Sequence, residues 1–103
     1  MYINLDAYIE RTVDFKLNGE IVKVKELSNS LFKKVAAHEK FVAEDGGVKI
    51  FEDRLAIVTE ILNRNTTGQK FTQDQLAEFP QSVLNVVLQE VSALTRKGIE
   101  DPN

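Results

Sequence analysis

The chain has 103 residues, enough for one compact domain, and it has no cysteine, which excludes disulfides, thiolate nucleophiles and cysteine-ligated zinc. Its net charge of −3 argues against a general nucleic-acid binder. No apolar run approaches the roughly 20 residues of a membrane-spanning helix. We expect no signal peptide, because the first residues lack a basic start and an apolar run.

Residues 2–11 mix apolar and polar side chains without a clean period. A short helix capped by Asn4 or Asp6 and an extended arm both remain open here. Tyr2 and Tyr8 are the only tyrosines, and we expect them either to cover the rim of the core or to contact a partner.

Residues 12–25 predict a β-hairpin. Two alternating segments flank Asn18-Gly19, a pair that tolerates the positive φ angles of a two-residue type I′ turn. That turn sets Phe15 opposite Val22 on one face and Asp14 opposite Lys23 on the other. A two-stranded hairpin is marginal alone. Its apolar face must therefore pack on helices, or its free edge must pair with another chain.

Residues 30–63 predict two antiparallel amphipathic helices joined by the turn at 44–47. The first apolar stripe comprises Leu31, Phe32, Val35, Ala36, Val42 and Ala43. The second comprises Ile50, Phe51, Leu55, Ile57, Val58, Ile61 and Leu62. One charged residue interrupts each stripe, Glu39 in the first and Arg54 in the second.

Glu39 and Arg54 lie at similar distances on either side of Gly46, so antiparallel packing would bring them close together. Three roles stay open: an ion pair within the chain, contacts with another subunit, and part of a ligand site. His38 lies at the border of the first stripe. Phe41 lies well off it, which makes Phe41 a candidate partner or self contact.

The rest of the chain predicts two more helices. Thr72 and Gln75 fit a capping box, and Pro80 either breaks that short helix or opens the next one. Residues 81–97 predict an amphipathic helix whose apolar stripe comprises Val83, Leu84, Val87, Leu88, Val91 and Leu94. Val86 and Ala93 lie off this stripe, as further candidate contacts. Arg96-Lys97-Gly98 predicts its end, with 98–103 as a polar tail.

No motif for catalysis, metal binding or cofactor binding is present in the sequence. One histidine without cysteine or a second histidine is poor material for a metal site or a catalytic triad. A DNA-reading helix would be basic, and the predicted second helix is not. We therefore expect no enzyme, no catalytic, metal or cofactor-binding residues and no cofactor.

Three segments together resemble the tail assembly chaperones of long-tailed bacteriophages, particularly those of phages and prophages of Gram-positive hosts. They are Asn4-Leu5-Asp6-Ala7-Tyr8, the hairpin Leu17-Asn18-Gly19-Glu20-Ile21-Val22-Lys23-Val24, and the run from Glu60 through Gly68-Gln69-Lys70-Phe71-Thr72. A lysine-rich helix with a glutamate in its middle and an amphipathic last helix complete the pattern, which covers nearly the whole chain.

The resemblance implies a non-enzymatic protein that binds the long helical tape measure protein in the host bacterial cytoplasm and keeps it soluble. Tail tube protein then polymerises around the tape measure, and the chaperone is absent from the mature virion. The resemblance also implies a mainly α fold and assembly into spirals or rings. A longer frameshifted form would engage the tube protein, with its extension joined after Gly98.

The prediction is therefore one α-rich domain over 1–103, with a β-hairpin at 12–25, a helical part at 30–97 and a polar tail at 98–103. The expected function is tail assembly chaperone, acting as an oligomer without membrane or nucleic-acid partners. A small phage regulatory or nucleic-acid-associated protein is the alternative.

Overall fold

The computed structural model describes residues 1–44 and 46–100, and it confirms the mainly α fold with an N-terminal β-hairpin. In chain order the elements are α1 (Asp6–Ile9), β1 (Thr12–Leu17), β2 (Glu20–Lys25), α2 (Asn29–Ala43), α3 (Lys49–Leu62), α4 (Gln73–Leu76) and α5 (Gln81–Glu100). Residues 1–5 form an N-terminal arm before the short helix α1. No helix in the described part of the chain is long and apolar enough to cross a bilayer.

The hairpin has the predicted turn and register. Asn18 and Gly19 have φ angles of 52° and 82°, as a type I′ turn requires. Phe15 pairs with Val22 and Asp14 with Lys23, whose charged atoms lie 3.9 Å apart. Val22 and Val24 are buried at 2% and 0% exposure. The apolar face of the hairpin therefore packs on the helices.

The core lies between that face and helices α2 to α5. Its buried apolar side chains are Val22, Val24, Leu27, Leu31, Val35, Ile57, Val58, Ile61, Leu62, Leu76, Leu84, Val87 and Val91. The α3 contribution follows the predicted stripe, except that Phe51 is half exposed. The predicted centre of the α5 stripe is buried, and Val86 and Ala93 lie outside it as expected.

The predicted stripe of α2 is wrong in its second half. The helix buries Leu31, Val35 and His38, whereas Ala36, Val42 and Ala43 are exposed. These buried positions follow a spacing of four and three residues, which keeps them on one face. The buried face is thus turned from the predicted one, and His38 takes the place that Glu39 was expected to hold.

Side-chain caps are present at the starts of α2 and α4, whereas α1 and α3 have none. The Ser28 hydroxyl accepts a hydrogen bond from the Leu31 amide at 3.2 Å, and Thr72 with Gln75 forms the reciprocal capping box of α4. Pro80 precedes α5, and its carbonyl accepts a hydrogen bond from the Val83 amide at 3.0 Å. Of the two possibilities for Pro80, the structure therefore shows the opening of the last helix.

The predicted end of α5 at Gly98 is wrong, because the helix continues to Glu100. A Cβ atom at position 98 would overlap the Arg11 guanidinium, which donates a hydrogen bond to Glu26 at 3.1 Å. Gly98 thus lies within the helix, with the Arg11 guanidinium packed against it, and does not end α5. Of the predicted polar tail, residues 101–103 lie outside the described residues.

The connection from α3 to α4 covers the outer edge of β2. Thr66 donates its amide to the Lys23 carbonyl at 2.8 Å, and Lys25 donates to the Arg64 carbonyl at 3.3 Å. The Asn65 side chain holds this loop from inside, since its amide group donates to the carbonyls of Leu62 and Gln69, both at 2.8 Å. One edge of the sheet is thereby occupied.

Candidate functional site

A groove between the hairpin and the start of α5, with a volume of about 310 Å³, has an almost entirely apolar lining. Its partly exposed walls are Phe15, Leu17, Phe79, Val83 and Val86, and its floor consists of the buried Val22, Leu62, Leu76 and Val87. Lys16 and Ser82 are the polar residues of its lining. We call this surface the apolar groove. Its size and lining suit several apolar side chains of a partner.

The free edge of β1 lies beside this groove. In the observed register the amides and carbonyls of Phe15 face β2, so those of Thr12, Asp14 and Lys16 point away from it. Within residues 1–44 and 46–100, no backbone hydrogen bond from another segment reaches these three residues. The same parity on β2 explains why Lys23 and Lys25 bond to the 64–67 loop. An exposed edge of this kind can accept a further strand.

A polar cluster lies between the second half of α2 and the first half of α3. His38 is 2% exposed, and its Nδ1 atom lies 2.7 Å from the Asp53 carboxylate. Arg54 donates its Nε–H to His38 Nε2 at 3.4 Å and a second N–H to the Gln81 side chain at 3.3 Å. Because Nε2 accepts, the ring proton lies on Nδ1 and points to Asp53. Both ring nitrogens therefore have partners, which allows the ring to be buried.

The predicted ion pair of Glu39 with Arg54 does not form in this structure. Glu39 instead accepts a hydrogen bond from Arg96 of α5 at 2.7 Å, and the two side chains remain 49% and 51% exposed. Glu39 and Arg54 still line one cleft, together with His38 and Ser92. The prediction placed them near each other correctly, but the one-position turn of α2 gave each a different partner. A contact of either residue with another subunit stays a prediction.

The five predicted partner contacts lie on different surfaces. Val86 is 49% exposed and forms a wall of the apolar groove, and Tyr2 in the N-terminal arm is 87% exposed. Ala93 is exposed on α5. Tyr8 is partly covered, with the Arg11 guanidinium 5.3 Å from its ring centre. Phe41 is half-buried, because its ring packs over Gly46, where a Cβ would overlap it.

Sequence reasoning missed two features. The His38–Asp53 pair carried a usable signal, because these residues lie one position before Glu39 and Arg54 on the same two helices. For the free edge of β1, the sequence predicted which backbone groups point outward, because a two-residue turn sets the strand register. Nothing in the local sequence showed that the 64–67 loop would cover β2 and leave β1 open.

In the described part of the chain, no group of three or more His, Asp or Glu side chains could hold a metal ion. The arrangement can instead perform binding, through an apolar groove with a free strand edge beside it. The exposed apolar side chains of Ile21, Val48 and Phe51 lie outside this groove.

No family model matches the chain, and neither the curated proteins nor the solved structures that were compared with it give a match.

Proposed function

We propose that this protein is a tail assembly chaperone of a long-tailed phage, which binds the tape measure protein in the host cytoplasm and keeps it soluble until the tail tube polymerises. One observation carries the proposal: the apolar groove presents a concave apolar surface on a small, charged protein. The resemblance in sequence supplies the identity of the client. The protein acts as an oligomer, is not an enzyme and is absent from the finished virion.

The groove suits an apolar helical client for a physical reason. A helix presents apolar side chains three and four residues apart, and its apolar face can lie in a hydrophobic groove. The walls come from three separate elements, β1, α5 and the segment after α4, so the groove exists only in the folded chain. Lys16 at its edge is the charged residue of the lining. Contact with tail tube protein belongs, in this proposal, to a longer form extended beyond the present C-terminus.

Co-expression with the tape measure protein of the same phage tests the proposal. We expect the chain to move the tape measure protein from the insoluble to the soluble fraction. Val86→Arg places a charge on the groove wall and should weaken binding of the tape measure protein at least about tenfold, a loss of about 1.4 kcal/mol of binding free energy, and so lower the soluble fraction. Val48→Arg makes the same change at a 78% exposed site outside the groove and should act like the wild type.

Two results would count against the proposal. One is an insoluble tape measure protein in the presence of the wild-type chain. The other is tight binding to duplex DNA at physiological salt without rescue of the tape measure protein, which would favour a nucleic-acid-associated role. Circular dichroism and thermal unfolding of both variants establish that Val86→Arg is folded.

A further inference from the structure

The N-terminal arm exposes apolar side chains that a lone protomer leaves in water. Met1, Ile3 and Leu5 have exposures of 120%, 71% and 66% relative to the free residue, and Tyr2 reaches 87%. Residues 1–4 form no secondary structure, and Leu5 is the N-cap of α1, with helical φ and ψ angles and a carbonyl that accepts from the amides of Tyr8 and Ile9. An extended arm that includes Leu5 therefore requires this cap to open. The arm is thus a short segment of high apolar content that the described residues leave largely uncovered.

The pattern of the arm fits the free edge of β1. In an extended strand, successive side chains point to opposite faces of the sheet, so Met1, Ile3 and Leu5 share one face. A strand added to the outer edge of β1 would place that face on the same side as Phe15 and Leu17. On that side lies the apolar groove. Tyr2 and Asn4 would then lie on the solvent side, next to Asp14 and Lys16.

We propose that the N-terminal arm of a second copy of this chain pairs with the free edge of β1 and inserts Met1, Ile3 and Leu5 into the apolar groove. Backbone hydrogen bonds to the outward groups of Asp14 and Lys16 hold the strand, and the apolar side chains fix its register. Each copy both offers an arm and accepts one.

The arm comes from a second copy, because the arm and the groove of one copy lie at opposite ends of β1. The groove lies at the turn end of β1, beside Phe15 and Leu17, whereas the arm joins the chain at the opposite end, before Thr12. An arm of the same copy would have to reverse direction within residues 6–11. That segment is held by helix α1, by the stacking of Tyr8 on Arg11 and by the Arg11–Glu26 ion pair.

The area of contact is that of a specific but reversible interface. With about 200 Å² for a fully exposed residue of this size, the three inward side chains remove on the order of 500 Å² from water. A similar area on the groove side brings the total to about 1,000 Å², near the lower limit of specific interfaces. We therefore expect assembly that depends on protein concentration and dissociates on dilution.

The contact joins two different surfaces, so it is heterologous and repeats from copy to copy until a ring closes or a filament grows. It also occupies the surface that we assign to the client. Arm and client then compete for the groove, and this competition rests on the proposed function, whereas the arm contact itself does not.

Sedimentation velocity over a concentration series tests the proposal. The wild type should show a rising sedimentation coefficient, and deletion of residues 2–5 should leave a monomer. Asp14→Pro removes an outward amide without touching a hydrogen bond to β2, and it should also give a monomer. Asp14→Ala loses the same carboxylate but keeps the amide, and it should assemble like the wild type.

A peptide of residues 1–6 provides a second, independent measurement. Added to the ¹⁵N-labelled deletion variant, it should shift the amide signals of Asp14 and Lys16, and Val86→Arg should abolish those shifts. Three results would overturn the proposal: assembly of the deletion variant at wild-type concentrations, a wild type that stays monomeric throughout, or protection of the Asp14 amide in a monomer, which would mean that the arm binds its own chain.

The client assay separates the two proposals. The deletion variant keeps the groove and should still bind the tape measure protein in a pull-down. If no variant solubilises the client while the peptide still binds, the proposed function fails and the arm contact stands.

Discussion

A buried imidazole ring is stable when both of its nitrogens find partners, and those of His38 are found on the facing helix. Asp53 accepts from Nδ1 and Arg54 donates to Nε2, so two neighbouring residues of α3 serve the two sides of one ring. This arrangement allows α2 to turn His38 toward the core, because a buried ring without these partners would lose its hydrogen bonds to water. It also sends Glu39 outward to Arg96.

Replacement of Asp53 tests this at the residue scale. Asp53→Ala leaves the Nδ1–H of a 2% exposed ring without an acceptor, and we expect it to lower the free energy of unfolding by about 1–3 kcal/mol. Glu52→Ala removes the neighbouring exposed carboxylate and should stay within about 0.5 kcal/mol of the wild type. Urea unfolding measures both. Equal values for the two variants would mean that the His38–Asp53 bond does not stabilise the fold.

At the scale of elements, one edge of the sheet is covered by a loop and the other is free. The 64–67 loop bonds to β2, and Asn65 stabilises the loop by donating to two carbonyls and accepting from the amides of Thr67 and Gln69, both at 3.1 Å. β1 has no such cover among the described residues. A two-stranded sheet with one closed edge can grow in one direction only, which gives any added strand a defined place.

Asn65→Ala should release the loop from β2. Since the side chain makes four hydrogen bonds with the loop backbone, we expect a loss of stability of about 1–3 kcal/mol and faster hydrogen exchange at the Lys23 and Lys25 amides. Thr66→Ala changes the adjacent residue but keeps the backbone bond to Lys23, so it serves as the control. Unchanged exchange at Lys25 in Asn65→Ala would show that the loop holds its place without this side chain.

At the scale of the whole molecule, two forces could drive assembly. The charge of the chain is uneven, with a net charge of +1 over residues 1–40 and −4 over residues 41–103, which by itself would weakly favour head-to-tail contacts. The arm and the groove are apolar, and their contact does not depend on charge. Screening of exposed charges by salt distinguishes the two forces.

We expect self-association to change little, or to strengthen, between about 0.05 and 0.5 M sodium chloride, because salt screens exposed charges but does not weaken apolar burial. Light scattering at a fixed protein concentration measures this. A steep loss of the oligomer with added salt would show that charge drives assembly and would contradict an apolar contact.

Local patterns determined much of this protein. Asn18-Gly19 set both the turn and the strand register, Thr72 and Gln75 set the start of α4, and the spacing of Leu84, Val87 and Val91 set the buried face of α5. Each of these depends on residues only a few positions apart, whose conformations and contacts follow from the backbone geometry of a turn or a helix.

Tertiary structure decided what depends on distant neighbours. The helical pattern of α2 is compatible with burial of either His38 or Glu39. The structure buries His38, whose ring is paired with Asp53 and Arg54 on the facing helix. Gly98 has the local features of a helix end, but α5 continues through it to Glu100, with the Arg11 guanidinium packed against it. Likewise, only the tertiary structure showed that the 64–67 loop covers β2, while no described segment bonds to the outer edge of β1 beside the apolar groove. A strand edge is closed by whichever distant segment packs against it, and the local sequence does not show which segment that is.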